Sequence, residues 1–130
     1  MKVTLERILL VDDEADIRTV AAMALESLGG FVVGTCASGQ EALARVSSST
    51  PQLVLLDVIM PGMDGPATLS AMRTRSGLAV VPVVFMTAKT EPDEVARLRG
   101  LGAIGVIAKP FDPMTLPGTV QAIWRSHHGG

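Results

Sequence analysis

Residues 53–65 read Leu53-Val54-Leu55-Leu56-Asp57-Val58-Ile59-Met60-Pro61-Gly62-Met63-Asp64-Gly65. Four apolar residues run directly into one carboxylate, and a loop punctuated by a proline and two glycines follows. A short, unbroken apolar run suits a strand buried on both faces, since a half-exposed strand would alternate. A carboxylate at the end of such a strand costs desolvation free energy unless something there uses it. The rest of the chain is read for what could use Asp57.

The same pattern recurs on either side. Residues 8–11 form an apolar run that ends in Asp12 and Asp13, and residues 31–36 are β-branched and apolar up to Cys36. Residues 82–86 form a fourth run followed by Thr87, and residues 104–108 a fifth that ends at Lys109-Pro110. Helical spacing fills the intervals. In residues 14–28, Ile17, Val20, Ala21, Ala24, Leu25 and Leu28 share one stripe, with Asp16, Arg18 and Glu26 off it. Gly29 and Gly30 stop this helix. Ser38-Gly39-Gln40-Glu41 is a capping box that opens a helix through Ala42, Leu43 and Val46, with residues 47–51 as loop. Asp64 or Gly65 starts the third helix, with Pro66 tolerated in its first turn, Leu69 and Met72 facing inward and Gly77 beyond its end. Thr90-Glu91-Pro92-Asp93 reads as the next start, for a helix that presents Val95, Leu98 and Leu101 and ends near Gly102.

The last helix falls between Asp112 and Ser126, with Val120, Ile123 and Trp124 on its inner side. Pro117-Gly118 conflicts with a helix interior, at a cost of about 3 kcal/mol. The expectation is either a late start capped by Thr115 or a break between residues 112–116 and the rest. Residues 126–130 read as a frayed tail, in which His127-His128 has no further metal ligands in reach.

Strand and helix alternate five times. The expected fold is α/β: a (βα)5 doubly wound arrangement, with a five-stranded parallel sheet in the order 2-1-3-4-5 and helices on both faces. One domain accounts for residues 1–130, with its core at about 7–124. At 130 residues, 48% hydrophobic and 18% charged, the chain can bury a real core and should fold. A net charge of −2 gives no electrostatic reason for a nucleic acid or an acidic membrane as a direct partner. The lone Cys36 excludes an internal disulfide and a cysteine-based zinc site, and it reads as a small packed side chain. Residues 1–11 are no signal peptide, and no apolar run is long enough to span a bilayer, so a cytoplasmic location is expected.

In an open parallel sheet, ligands bind at the carboxyl ends of the strands. Four of the five ends are polar here: Asp12-Asp13, Asp57, Thr87 and Lys109. Three carboxylates within a few ångströms repel one another, and a hard divalent cation resolves this with oxygen ligands. Lys109 supplies a point charge and Thr87 a hydroxyl donor, which suit the oxygens of a phosphoryl group. Asp57 is then a nucleophile able to form an acyl phosphate. Taken singly, each has a plainer reading. Asp12 and Asp13 could cap a helix, Asp57 could be a turn residue, Thr87 could merely end a strand, and Lys109 could snorkel at the surface. Those readings lose weight because four strand ends agree. Asp64 reads as a helix cap, and Trp124 as core.

These residues are the ones that carry a resemblance. With Asp12-Asp13, Asp57 and its Met60-Pro61-Gly62-Met63-Asp64-Gly65 loop, Thr87-Ala88 and Lys109-Pro110-Phe111, the chain resembles the receiver domains of two-component response regulators, the CheY-like family with its flavodoxin-like fold. The resemblance covers residues 7–124. It implies a phospho-accepting signalling protein, not an enzyme, although one that promotes its own phosphorylation and dephosphorylation. Asp57 would take a phosphoryl group from a phosphohistidine on a sensor histidine kinase or a histidine phosphotransfer protein. Mg²⁺, or Mn²⁺ in its place, would be held by Asp13, Asp57 and the backbone carbonyl of Ile59, with Asp12 acting through a water. Thr87 and Lys109 would bind phosphoryl oxygens. The Lys109-Pro110 bond would be cis, and small Ala88 would leave the pocket open. Ile59 and Lys89 occupy positions that tune dephosphorylation in the family.

One departure stands out. Receivers commonly carry Tyr or Phe three residues before the lysine, and Val106 stands there in this chain. An aromatic rotamer switch cannot operate at that position, so the loop at residues 88–90 and the fourth helix are expected to report activation.

Two other function classes fit less well. A phosphohydrolase that uses an aspartyl phosphate needs a second aspartate two residues after the nucleophile, where Ile59 stands. A Rossmann nucleotide domain needs a glycine-rich first turn, where Asp12-Asp13-Glu14 would repel a pyrophosphate. Within the receiver reading, the short extensions on both sides favour a stand-alone regulator. A phosphorelay shuttle, or a receiver cut from a hybrid kinase or a DNA-binding regulator, is the alternative. The downstream protein is unidentified, and a phosphorylation-dependent dimer through the fourth and fifth helices stays open.

Overall fold

Every residue of Leu53–Asp57 (β3) and of Val83–Thr87 (β4) is buried, as a strand covered on both faces requires. The structure is a computed structural model that describes residues 3–128 apart from 76, with the backbone alone described at 46–48. The remaining strands are β1 (Arg7–Val11), β2 (Val32–Cys36) and β5 (Gly105–Ala108). The helices are α1 (Ala15–Ser27), α2 (Gly39–Ser48), α3 (Gly65–Arg73), α4 (Pro92–Gly100) and α5 (Leu116–His127). All strand pairs are parallel, in the order β2-β1-β3-β4-β5, as the alternating pattern predicts.

Register sets the functional edge. Val11 pairs with both Cys36 and Leu56, Asp57 with Met86, and Thr87 with Ala108. Three backbone bonds carry the ladder past the strand ends: Asp12 N–H to Cys36 O, Val58 N–H to Met86 O and Lys109 N–H to Thr87 O. Asp12, Asp57, Thr87 and Lys109 therefore leave the sheet along one line.

Successive side chains of each strand enter opposite cores. Leu9, Val11, Val54, Leu56, Val83 and Phe85 pack with Leu43, Leu69, Met72 and Leu98. Ile8, Leu10, Leu53, Leu55, Val84 and Met86 pack with Ala21, Leu25, Val120 and Trp124. Cys36 and Trp124 are both buried, as read.

Local chemistry starts the helices where it was expected at α2, α3 and α5. The Ser38 hydroxyl accepts from the Glu41 N–H at 3.1 Å, and the Asp64 carboxylate accepts from the Ala67 N–H at 2.9 Å. At α5 the late start is the one adopted. Thr115 is the N-cap, so Pro117 falls in the first turn, where its missing N–H costs nothing. Gly65 has a spatial reason to be glycine: a Cβ there would strike the Asp57 carbonyl oxygen, and its N–H donates to Val58 O at 2.9 Å.

Several expectations are corrected. Val20 and Leu28, 42% and 53% exposed, lie outside the buried stripe of α1, which is narrowed to Ala21, Ala24 and Leu25. With Met23 and Pro113 they form an exposed apolar strip. Leu101, 45% exposed, is the C-cap of α4 rather than part of its inner face. That helix does begin within residues 90–93, at Pro92 with Glu91 as N-cap, because proline biases the residue before it to an extended backbone. Ser47 and Ser48 are helical, and Ser49 N–H closes α2 on Arg45 O. Ser126 and His127 are helical rather than a frayed tail. There His128 N–H closes on Trp124 O, and its ring packs 3.9 Å from the Trp124 ring. The side chain of Val46 and residues 129–130 fall outside the described residues.

Two anchors had no sequence expectation. The Gln52 amide oxygen accepts from the N–H of Glu6 and of Arg7, at 2.7 and 2.8 Å, while its NH₂ donates to Thr4 O at 3.0 Å. The Trp124 indole N–H donates to Val3 O at 2.8 Å. Together they tie the segment before β1 to the start of β3 and to α5.

Leu55 is wholly buried at the centre of the sheet. Leu55→Ala should therefore lower stability by about 2–5 kcal/mol, read from the urea unfolding midpoint. A loss below about 1 kcal/mol would show that the β3 core is not packed as described.

Candidate functional site

Asp57 ends β3 and Asp12 follows β1, and both are buried. Asp13, next along the chain, is exposed. One carboxylate oxygen from each of the three lies within 4.8 Å of the others. Lys109, just past β5, reaches across the sheet edge to them. Its Nζ lies 2.8 Å from Asp12 Oδ2, 3.3 Å from Asp57 Oδ1 and 4.0 Å from Glu14 Oε1. The second Asp12 oxygen accepts from the Glu14 N–H at 2.9 Å, while the Arg18 guanidinium donates to the Asp12 carbonyl at 2.7 Å. Arg18, off the apolar stripe of α1, thus turns back on the turn that precedes its helix.

The electrostatics follow from this crowding. Burial pushes the Asp57 carboxyl up from 3.8 to about 6, with the Asp12 charge adding to the rise and Lys109 opposing it. Burial alone would lower Lys109; its hydrogen bond to Asp12 and the charge of Asp57 outweigh that, and its pKa is raised. One ammonium is shared by two buried carboxylates with a third beside them. The donor set is all oxygen, anionic and confined, which fits a hard divalent cation.

Thr87 is buried at the end of β4, and its hydroxyl accepts from the Lys89 N–H at 3.0 Å. It lines a cavity of about 410 Å³ that opens between the loop after β3 and the loop after β4. Ile59, 66% exposed, and Lys89 line the same cavity. Ala88 is exposed beside it, with no bulk over the opening. The Lys109-Pro110 bond is cis. Val106 stands apart: it is partly buried, paired with Phe85 in the sheet and packed on the first core. Asp12, Asp13, Asp57 and Lys109 are thus brought together, with Thr87, Ile59 and Lys89 around the adjoining opening. The sequence reading missed Glu14 and Arg18 at the acidic cluster, and Glu94 and Arg97 on the cavity wall.

Residues 8–121 match the family model for the response regulator receiver domain. The chain belongs to that family. Receivers are the phospho-accepting signalling modules of two-component systems. This receiver is 38% identical over 117 residues to the DNA-binding response regulator MtrA of Mycobacterium tuberculosis, covering 90% of this chain and 50% of that protein. It is 38% identical over 124 residues to a probable transcriptional regulator, ycf27, of Guillardia theta, covering 94% and 46%. The chain spans about half the length of these curated relatives. Among solved structures, the chemotaxis response regulator CheY4 of Vibrio cholerae matches with a TM-score of 0.85 and 34% identity, over 92% of this receiver and 99% of that chain. No helix among the described residues is long and apolar enough to cross a membrane.

The raised Asp57 pKa makes a stability prediction for the receiver free of divalent cations. Because the folded state holds the Asp57 proton more tightly than the unfolded one, stability is lost as pH rises from about 4 through 6. At neutral pH the ionised group should cost about 3 kcal/mol. Asp57→Asn should raise the unfolding midpoint at pH 7.5 in the presence of a chelator and give no gain at pH 4. Equal effects at both pH values would contradict the crowding of charge.

Proposed function

We propose that Asp57 accepts a phosphoryl group from a phosphohistidine on a sensor histidine kinase or a histidine phosphotransfer protein. The observation that carries this is a carboxylate buried at the end of a rigid strand, with Lys109 at 3.3 Å and two further carboxylates beside it. The bond from phosphorus to Asp57 oxygen forms as the bond from phosphorus to imidazole nitrogen breaks, and the imidazole keeps the electron pair. Asp57 is buried beside Asp12, so its charge is less well solvated than that of an exposed carboxylate, which favours attack. Lys109 and Thr87 hold phosphoryl oxygens. Asp13, Asp57 and the Ile59 carbonyl would hold Mg²⁺, with Asp12 acting through a water. The metal supplies charge neutralisation for the transferring group. The exposed side chains of Val20, Met23 and Leu28 on α1 form one strip with Pro113, from the loop that carries Lys109, and it gives the phosphohistidine protein an apolar footing.

A second reading makes the receiver one half of a DNA-binding regulator. It is favoured by a relative of about twice its length, MtrA, that carries that description. The phosphoryl chemistry is the same in both. What differs is whether the altered surface is read by a separate protein or by an attached domain.

With Val106 in place of a ring, the outgoing signal is assigned to the loop at residues 88–90 and to α4. Thr87 is the link, since its hydroxyl holds the Lys89 N–H. A Thr87 drawn to a phosphoryl oxygen moves the base of that loop.

Two measurements test the proposal. Incubation with acetyl phosphate and Mg²⁺ should add one labile phosphoryl group by intact mass, none with a chelator and none on Asp57→Asn; an unmodified wild type would overturn the reading. With Mg²⁺ and beryllofluoride, amide shifts should extend through residues 88–90 and along α4. Shifts confined to the carboxylate cluster would overturn the assigned route.

A further inference from the structure

Arg18 stands one turn into α1, half-buried, and its guanidinium reaches back to the turn before the helix. Nη1 donates to the Asp12 carbonyl oxygen at 2.7 Å. Every other polar atom of Asp12 is held as well. Its N–H donates to Cys36 O at 3.1 Å, one carboxylate oxygen accepts from the Glu14 N–H at 2.9 Å, and the other accepts from Lys109 Nζ at 2.8 Å. Arg18 forms no ion pair among the described residues, so this carbonyl is its anchor. Glu14, the N-cap of α1, makes no side-chain cap bond, and the guanidinium ties the helix to the turn in its place.

The bond bears on the next residue. The Asp12 carbonyl and the Asp13 nitrogen and Cα lie in one peptide plane. A guanidinium on the oxygen therefore fixes where the Asp13 side chain leaves the backbone. Asp13 is exposed, and among the described residues no hydrogen bond or ion pair holds its carboxylate. One of its oxygens nevertheless lies within 4.8 Å of oxygens of Asp12 and Asp57, which are both buried. Of the three acids, Asp13 is the one whose placement depends on that peptide plane.

We propose that Arg18 is a positioning residue that pins the Asp12–Asp13 peptide and so sets the preference of the acidic cluster for Mg²⁺ over Ca²⁺. The inference rests on the metal-holding role proposed above for Asp13 and Asp57. Mg²⁺ demands near-octahedral placement of its oxygen ligands, whereas Ca²⁺ tolerates irregular placement. A pinned Asp13 suits the smaller ion, and a loosened one costs Mg²⁺ more than Ca²⁺. Arg18 is also a cation near a cation site, so its charge alone would weaken the binding of either ion. The two effects have opposite signs, and that makes them separable. Loss of the clamp should lower Mg²⁺ affinity about tenfold, the lower end for a group that orients a metal ligand.

The test titrates wild type, Arg18→Met, Arg18→Ala and Arg18→Lys with MgCl₂ and with CaCl₂ at constant ionic strength, and reads affinity from amide shifts. Met and Ala each remove the donor, so one suffices if the other does not fold. Either should lose more affinity for Mg²⁺ than for Ca²⁺, and Arg18→Lys, which keeps a charged donor, should recover part of the loss. Unchanged Mg²⁺ affinity overturns the inference. So do equal losses for both ions, which mark a general loosening of the turn, and a gain for both, which marks charge alone. A wild type that binds no Mg²⁺ overturns the metal reading as well, whereas one that binds it with no dependence on Arg18 overturns this inference alone.

Discussion

The contact on which the molecule turns is a single ammonium between two buried carboxylates. Lys109 Nζ lies 2.8 Å from Asp12 and 3.3 Å from Asp57, residues 97 and 52 positions away along the chain. Only a parallel sheet with β1, β3, β4 and β5 side by side brings these three groups together. The ladder bonds that continue past the strand ends hold them at one height. A buried carboxylate without a partner is costly, and one lysine cannot satisfy three acids. The fold therefore carries a standing excess of negative charge at one edge. Two large apolar cores support it, and an added cation relieves it.

Legibility in the sequence followed how local each determinant is. β3 was readable to the residue, because a strand buried on both faces has no polar residue to blur its start and Asp57 marks its end. Ser38 and Asp64 were readable as caps, because their partners lie three residues away. The width of the buried stripe on α1 was not readable. Periodicity gives the direction of a face, but the space left by Ala21 and Ala24 decides that Val20 and Leu28 stay outside. Long-range hydrogen bonds were invisible: Gln52 with Glu6 and Arg7, and Trp124 with Val3, join residues 45 to 121 positions apart. At the site, residue identities were readable because four strand ends agreed. The ion pair of Lys109 with Asp12, shorter than that with Asp57, was not.

The sheet and the loops divide the work unequally. β3 and β4 are buried along their whole length and have little room to move. The loop between β4 and α4 is exposed and is held at its base by the single bond from Lys89 N–H to Thr87. Val106, a small branched side chain, packs on the first core, the same one that takes Leu98 of α4. The ion pair on that side, Arg97 with Glu94, is partly solvated, so added salt weakens it more than it weakens the buried pair of Lys109 with Asp12.

The bond from the Trp124 indole to Val3 O fixes more than the packing of α5. Residue 3 lies ahead of β1, and α5 runs back against the strands, so both ends of the described chain emerge at the amino edge of the sheet. Asp57 lies at the opposite edge. A peptide linker could join residues 128 and 3 directly, and new ends could then be opened in the exposed turn near Gly77. A reporter fused ahead of residue 3 or after residue 128 would stand a full strand length from the carboxylates and would leave their edge of the sheet clear.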